Sequence, residues 1–232
     1  MIYFIHIPKT AGTSLMRIVR HNFARERIAY IYLPPNGIAL RTLYDMPALN
    51  RERIGIVYGH FAYGIHFKFG KDGKYVTFLR APDHRLVSNY LHHVRAGKTE
   101  GLSLRDYFFA KKPIDMDNYA VRLLSGADGS INFGKMSEGH LEIAKKNLEN
   151  GFVAFGLVEH MEESIARMCR VLRLEPAPVA RENARPNGPS GSTFEHDGLD
   201  AVLKQNEFDR LLYEFAKELF IRDRLLTPAA DP

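Results

Sequence analysis

Met1 to Ile7 is an almost unbroken apolar and aromatic run, and it passes through Pro8-Lys9-Thr10-Ala11-Gly12-Thr13-Ser14 into Leu15, Ile18, Val19 and Phe23, which recur at helical spacing. A buried strand turning directly into an amphipathic helix organises the rest of the chain. The helix is expected to begin near Gly12 to Ser14. Its first backbone N–H groups have no intrahelical partner and carry the positive end of the macrodipole, so phosphate oxygens can dock against them. Gly12 lets the backbone approach closely. Pro8 stiffens the strand end, and Lys9 places an ammonium where a group under transfer would sit. A nucleoside-triphosphatase loop would read G-x-x-x-x-G-K-[ST]. Here the lysine precedes the glycine by three residues instead.

Further apolar runs repeat this plan. Ile28 to Leu33 ends at Pro34-Pro35-Asn36-Gly37, Ile54 to Tyr58 ends at Gly59-His60, Tyr75 to Leu79 ends at Arg80, and Phe152 to Leu157 precedes an amphipathic segment from Glu159 to Leu174. Helices are expected over 102–110, 118–124, 137–150 with Ser137 as cap and Gly151 as stop, and 199–220. Strands alternating with helices predict an α/β fold, three layers α/β/α around a central parallel sheet. Tyr63 to Gly73 reads as a loop or hairpin, and Pro176 to Gly198 as a long loop.

His60 falls at the carboxyl end of a strand, where open α/β sheets gather their catalytic groups. With an unperturbed pKa of about 6.5, a histidine there can take a proton from a hydroxyl; taken alone, a histidine after an apolar strand is more often structural. Arg80 ends the next strand, Pro82 suits the first turn of a helix, and Ser88 lies two turns in. Arginine and serine so placed can converge on one phosphate, the first through its charged fork and the second through its hydroxyl.

Composition narrows the function. The 232 residues suit a single domain, 1–232, with about 221–232 as a loose tail. One cysteine, Cys169, excludes an intramolecular disulfide, and its spacing with Ile165, Met168 and Leu172 makes it a core thiol. No early segment reaches the roughly 18 apolar residues of a membrane span, and no signal-peptide layout is present, so a cytoplasmic protein is expected. The formal charge of +5 is spread without a basic block, which argues against nucleic acid as a partner. His92 and His93 have no cysteine or carboxylate at metal spacing and are expected to face solvent or the acceptor, with no zinc site.

Ile7-Pro8-Lys9-Thr10-Ala11-Gly12-Thr13-Ser14 resembles the 5′-phosphosulfate loop of sulfotransferases that use 3′-phosphoadenosine 5′-phosphosulfate (PAPS). The R-x-P-x-x-R-x-x-S-x-Y pattern from Arg80 to Tyr90 resembles the 3′-phosphate motif of the same enzymes. The likeness is to the carbohydrate branch, heparan sulfate 2-O-sulfotransferase-like, in a bacterial-type soluble member. It implies that Lys9, Thr10, Ala11, Gly12, Thr13 and Ser14 hold the 5′ end of PAPS, that Arg80 and Ser88 hold its 3′-phosphate, and that Lys9 also acts on the leaving oxygen. Arg85 belongs to the pattern without an assigned role. The resemblance makes His60 the base, because 2-O-sulfotransferases carry Gly-His at this strand end. They have a second histidine two residues earlier, where this chain has Tyr58. It also implies a basic lid in the 176–198 loop, with Arg181 and Arg185 facing the 3′-phosphate, and a segment 118–126 over the cofactor. The product is adenosine 3′,5′-bisphosphate (PAP). The acceptor, a small molecule or glycan presenting a hydroxyl or amine, is expected near His60, Tyr63, His66 and His92. Two other readings stay open: an ATP-dependent kinase-like transferase, and a protein that binds PAP without catalysis.

Overall fold

Alternate residues along each strand enter different cores. Ile2 and Phe4 pack with Ile56, Tyr58, Val76 and Phe78 on one side, while Tyr3 and Ile5 pack with Val57, Tyr75 and Leu79 on the other. Strands buried on both faces read as continuous apolar runs, which is why the sequence marks them so clearly.

The structure is a computed structural model that describes residues 1–32, 37–127, 131–177 and 198–226. In chain order its elements are β1 (Ile2–Ile5), α1 (Gly12–Asn22), β2 (Ile28–Ile31), α2 (Leu40–Tyr44), α3 (Ala48–Arg53), β3 (Ile56–Gly59), α4 (Ile65–Phe69), β4 (Lys74–Leu79), α5 (Pro82–Arg95), α6 (Leu104–Lys111), α7 (Tyr119–Leu124), α8 (Glu138–Asn150), β5 (Phe152–Leu157), α9 (Met161–Leu172), α10 (Leu199–Gln205) and α11 (Glu207–Leu226). All strand pairs are parallel, in the order β2-β3-β1-β4-β5. α1 and α9 cover one face through Leu15, Ile18, Val19, Ile165 and Met168. α7, α8 and α11 cover the other through Val121, Leu141, Leu148, Leu212 and Phe220. This is the expected three-layer arrangement. A satellite core of Leu86, Val87, Leu104, Phe108 and Val202 joins α5, α6 and α10 beside the sheet.

The chain enters at β1 in the centre, passes to β2 and β3 on one side, and then crosses to β4 on the other. In register, Ile5 lies between Gly59 of β3 and Thr77 of β4. The carboxyl ends of β1, β3 and β4 therefore lie side by side at the topological switch point, the usual place for a ligand in such sheets.

Several expectations change. The 63–73 segment contains α4, bounded by Gly64 and Gly70 in left-handed conformation, so it is not a hairpin. Its Tyr63 and His66 pack with Tyr3, Tyr75 and Phe152, near the amino ends of the strands and away from His60. They are not part of an acceptor cleft there. Helix 199–220 is broken at Asn206, whose buried side chain accepts the Asn118 N–H and donates to the Val202 carbonyl. The helix beyond it continues to Leu226, so residues 221–226 are not a loose tail. The remaining tail, Pro34 to Asn36, and most of the 176–198 loop, Arg181 and Arg185 included, lie outside the described residues.

His93 is buried, with Nε2 3.0 Å from Asp115 Oδ2 and Nδ1 3.0 Å from the Tyr107 hydroxyl, so it faces neither solvent nor acceptor. Arg85 is equally buried. It pairs with Asp209 at 3.0 Å and donates to the Asp115 carbonyl at 3.1 Å, joining α5 to α11. Asp209 in turn accepts the Ala120 and Val121 N–H groups at the start of α7, where a carboxylate suits the helix dipole. Arg122 is likewise structural, buried against Asp117 at 2.7 Å. Cys169 sits in the core on the α1 and α9 side of the sheet, and burial pushes its thiol up, which suits an inert packed cysteine. No helix among the described residues is long and apolar enough to cross a membrane.

Candidate active site

The turn after β1 is wound tightly. Lys9 has φ 70° and Ala11 φ 62°, so two non-glycine residues occupy the left-handed region, which costs free energy and is characteristic of functional loops. Ala11 in that conformation, followed by Gly12 in the helix, turns successive N–H groups toward one concavity, a nest suited to an anion. Ser14 N–H returns to the Ala11 carbonyl at 3.0 Å, while Gly12 and Thr13 begin the helix with their N–H groups outside the intrahelical ladder. The Thr10 hydroxyl turns inward and donates to the Ile7 carbonyl at 2.7 Å. Its side chain therefore braces the turn instead of presenting to a ligand.

The two motifs meet here. Arg80 Nη1 donates to the Lys9 carbonyl at 3.2 Å, across 71 positions of sequence. Lys9 also lies within the fields of Arg95 and His92 on α5. Ser88, His92 and Arg95 share one helical stripe by their four- and seven-residue spacing, so Ser88 belongs to the face of α5 turned toward the loop. Burial first, then Arg95 and Arg80, push the Lys9 ammonium down from its ordinary value. Burial also lowers the Arg80 guanidinium, against the opposing pull of Glu159 and Asp83. Cations gathered in a partly buried place favour an anion that relieves them.

His60 stands on the other side of the loop. Its Nδ1 lies 2.6 Å from the His6 carbonyl. A carbonyl only accepts, so Nδ1 carries the proton and Nε2 keeps its lone pair in the neutral ring. Burial lowers the His60 pKa below the usual histidine value, partly offset by the His6 hydrogen bond and by Asp115. A neutral imidazole with Nε2 as acceptor is the form a general base requires.

No family model matches the chain. The chain is similar to human heparan-sulfate 6-O-sulfotransferase 1, with 28% identity over 181 residues, covering 63% of this chain and 43% of that protein. It thus spans less than half the length of the curated relative it matches. Among solved structures it is similar to mouse sulfotransferase SULT7A1 complexed with PAP, at 15% identity and TM-score 0.45, covering 76% of this chain and 58% of the other. A sulfotransferase from Alicyclobacillus acidocaldarius matches at 18% identity and TM-score 0.41, over 75% of this chain and 81% of that one.

Three residues that the sequence left without a role complete the site. His6 lies between His60 and the loop, Tyr32 has its hydroxyl 2.7 Å from His6 Nδ1, and Tyr58 donates to the Gly12 carbonyl at 3.1 Å. Tyr58 ties β3 to the loop through this bond. The signal was present in the alternation: Ile2 and Phe4 of β1 and Ile56 and Tyr58 of β3 face one core, and His6 and His60, each two residues further on, stack at its edge. His6, Gly12, Thr13, Met16, Arg17, Arg20 and Tyr32 line a groove of about 450 Å³ on the α1 side. Lys9, Arg80 and Ser88 lie outside that lining.

Gly12 is required by this packing as well as by any ligand. A Cβ there would lie 2.1 Å from His6 Nε2. Gly12→Ala is therefore expected to displace either the loop or the imidazole, lowering stability by about 1–3 kcal/mol as overpacking does. Denaturant unfolding measures this, and unchanged stability would show that the ring yields without cost.

Proposed function

We propose that the chain is a sulfotransferase that moves a sulfuryl group from PAPS to a hydroxyl of a carbohydrate acceptor and releases PAP. The observation that bears most weight is the hydrogen bond from Arg80 to the Lys9 carbonyl. It brings the resembling 5′ and 3′ motifs into one place, as a single doubly phosphorylated nucleotide demands. The groups present suit that ligand: a left-handed Ala11 opening a helix N-terminus, Lys9 and Arg80 as adjoining cations, and the Ser88 stripe of α5 beyond them. PAPS supplies a sulfuryl group on a bridging oxygen that leaves with the nucleotide.

In this reading Gly12, Thr13 and Ser14, with the Thr10 and Ala11 backbone, hold the 5′ end, and Arg80 and Ser88 hold the 3′-phosphate. Arg185 is proposed as a further 3′-phosphate ligand from the resemblance alone. Lys9 balances charge on the leaving oxygen. His60 Nε2 takes the acceptor proton as the acceptor oxygen bonds to sulfur. Such chemistry asks the protein mainly for alignment and charge stabilisation. The Gly59-His60 pair and the similarity to a heparan-sulfate 6-O-sulfotransferase both support a sugar hydroxyl as acceptor. The groove lined by Arg17, Arg20 and Tyr32 reaches His6, whose ring stacks on His60, and is proposed as the side from which the acceptor approaches.

The test is incubation with radiolabelled PAPS and a panel of glycans, lipids and small alcohols, with labelled ATP in parallel. Label from PAPS on a glycan is the expected result. Transfer from ATP would return the kinase-like reading. Tight PAP binding without labelled product would return the binding-protein reading.

Arg80→Ala is expected to weaken PAP binding by about tenfold to a hundredfold, the range of a lost charge-assisted hydrogen bond. Calorimetry on a variant whose circular dichroism is unchanged measures it. Retained affinity would remove Arg80 from the phosphate site.

A further inference from the structure

His6 contacts Tyr32, Tyr58, His60 and Gly12. Its Nδ1 lies 2.7 Å from the Tyr32 hydroxyl at the end of β2. Its ring packs on the Cα of Gly12, where the ring atoms leave no room for a Cβ. It stacks on His60 at 5.0 Å between centroids and 22° between planes, and on Tyr58 at 5.4 Å and 30°. Its Nε2 is buried with no hydrogen-bond partner among the described residues. A buried polar atom left unpaired is costly and calls for an explanation. Nδ1 is engaged by Tyr32 and Nε2 bonds no described group, so neither ring nitrogen links His6 to His60 by a hydrogen bond, and the flat shape of the ring is what meets the base.

We infer that His6 is a positioning residue for the base, a flat spacer between the phosphate loop and His60 that holds the His60 ring where Nδ1–H reaches the His6 carbonyl and Nε2 faces the acceptor. What the base does rests on the sulfotransferase reading; the placement of the two rings does not. The charged and titratable groups near His6 are Tyr32, Tyr58, His60 and Lys9, with Arg17 and Arg20 lining the same groove from α1, and those near His60 are His6, Tyr32 and Asp115. Burial, with His60 and Lys9 adding to it, presses His6 down to about 3. The spacer therefore stays neutral while His60 works and sets no second charge beneath it. Without the flat ring, His60 can sink toward Gly12. It then exchanges its carbonyl contact for water, and its Nδ1–H form is no longer selected.

Nitrogen-15 NMR of the histidine-labelled chain, free of ligand, reads this independently of any activity, with the His60 signals assigned by their loss in His60→Gln. Wild type is expected to show neutral His60 protonated at Nδ1, with a midpoint below that of ordinary histidine. His6→Phe keeps the flat shape and is expected to leave both unchanged. His6→Ala is expected to raise the midpoint and mix the tautomers. In labelled transfer it should lower kcat by about tenfold or more, with PAP affinity within about twofold of wild type. If His6→Ala does not fold, His6→Leu, which fills volume without a flat face, is expected to give the same change. An unchanged His60 spectrum in the Ala and Leu variants overturns the inference. So does a Phe variant that behaves like Ala, since the ring nitrogens and not the shape would then matter. Absence of transfer to every acceptor would instead defeat the functional proposal while leaving the spectra to decide this one.

Discussion

Lys9→Ala is expected to slow sulfuryl transfer by about 10²- to 10³-fold, the loss seen when one preorganised donor to a developing negative charge is removed. The substitution is informative because alanine keeps the same Cβ at φ 70°. The backbone strain is unchanged and only the ammonium is lost. The Arg80 bond goes to the Lys9 carbonyl, not to its side chain, so the link between the two motifs survives as well. PAP affinity should fall much less than turnover, since the charge that Lys9 balances is largest as the bridging bond breaks. Single-turnover transfer of labelled sulfate beside calorimetry of PAP separates the two. Equal losses in both would make Lys9 a simple binding residue.

His60→Ala is expected to cost about 10²- to 10⁴-fold in kcat, which is the range of a general base. Its pH dependence is the more specific signature. Burial lowers the His60 pKa, so the ring is neutral and able to accept a proton throughout the neutral range. kcat/KM should fall only as pH drops through that lowered value, on the acid side of ordinary histidine. In His60→Ala this acid limb should vanish along with most of the rate. A wild-type profile that declines already at the ordinary histidine pH would contradict the buried, Nδ1-protonated ring. An unaltered rate in the variant would take His60 out of the mechanism.

Both residues could be picked from the amino-acid order alone, and the reason is local. A strand buried on both faces must be a continuous apolar run, so the ends of β1, β3 and β4 are visible as the points where the run stops. Lys9, His60 and Arg80 are the polar residues found there. The Gly12 helix start is legible for the same reason, as is the Ser137 cap of α8, where the structure has a capping box with His140. Short-range chemistry of this kind needs no partner distant in sequence.

Other features depended on such partners. The sequence sends His93 to solvent or acceptor and leaves Arg85 in the motif without a role, but Asp115, Tyr107 and Asp209 pair with them in the interior. A buried charge is tolerable only with a partner, and the partner of Arg85 lies 124 positions away. Tyr63 and His66 seemed to follow His60 into an acceptor cleft because they are near it in the chain; α4 carries them instead to the amino end of the sheet. The Asn206 break likewise arises from a distant backbone N–H at Asn118. What the amino-acid order determined is the layered α/β plan and the three strand ends to which the proposed chemistry is assigned. The tertiary structure alone decided that those ends adjoin, through the crossover that places β1 between β3 and β4, and that His6 and Tyr58 fill the space between the loop and His60. Periodicity records which side of a strand faces a core, whereas adjacency of strands depends on contacts summed over the whole sheet.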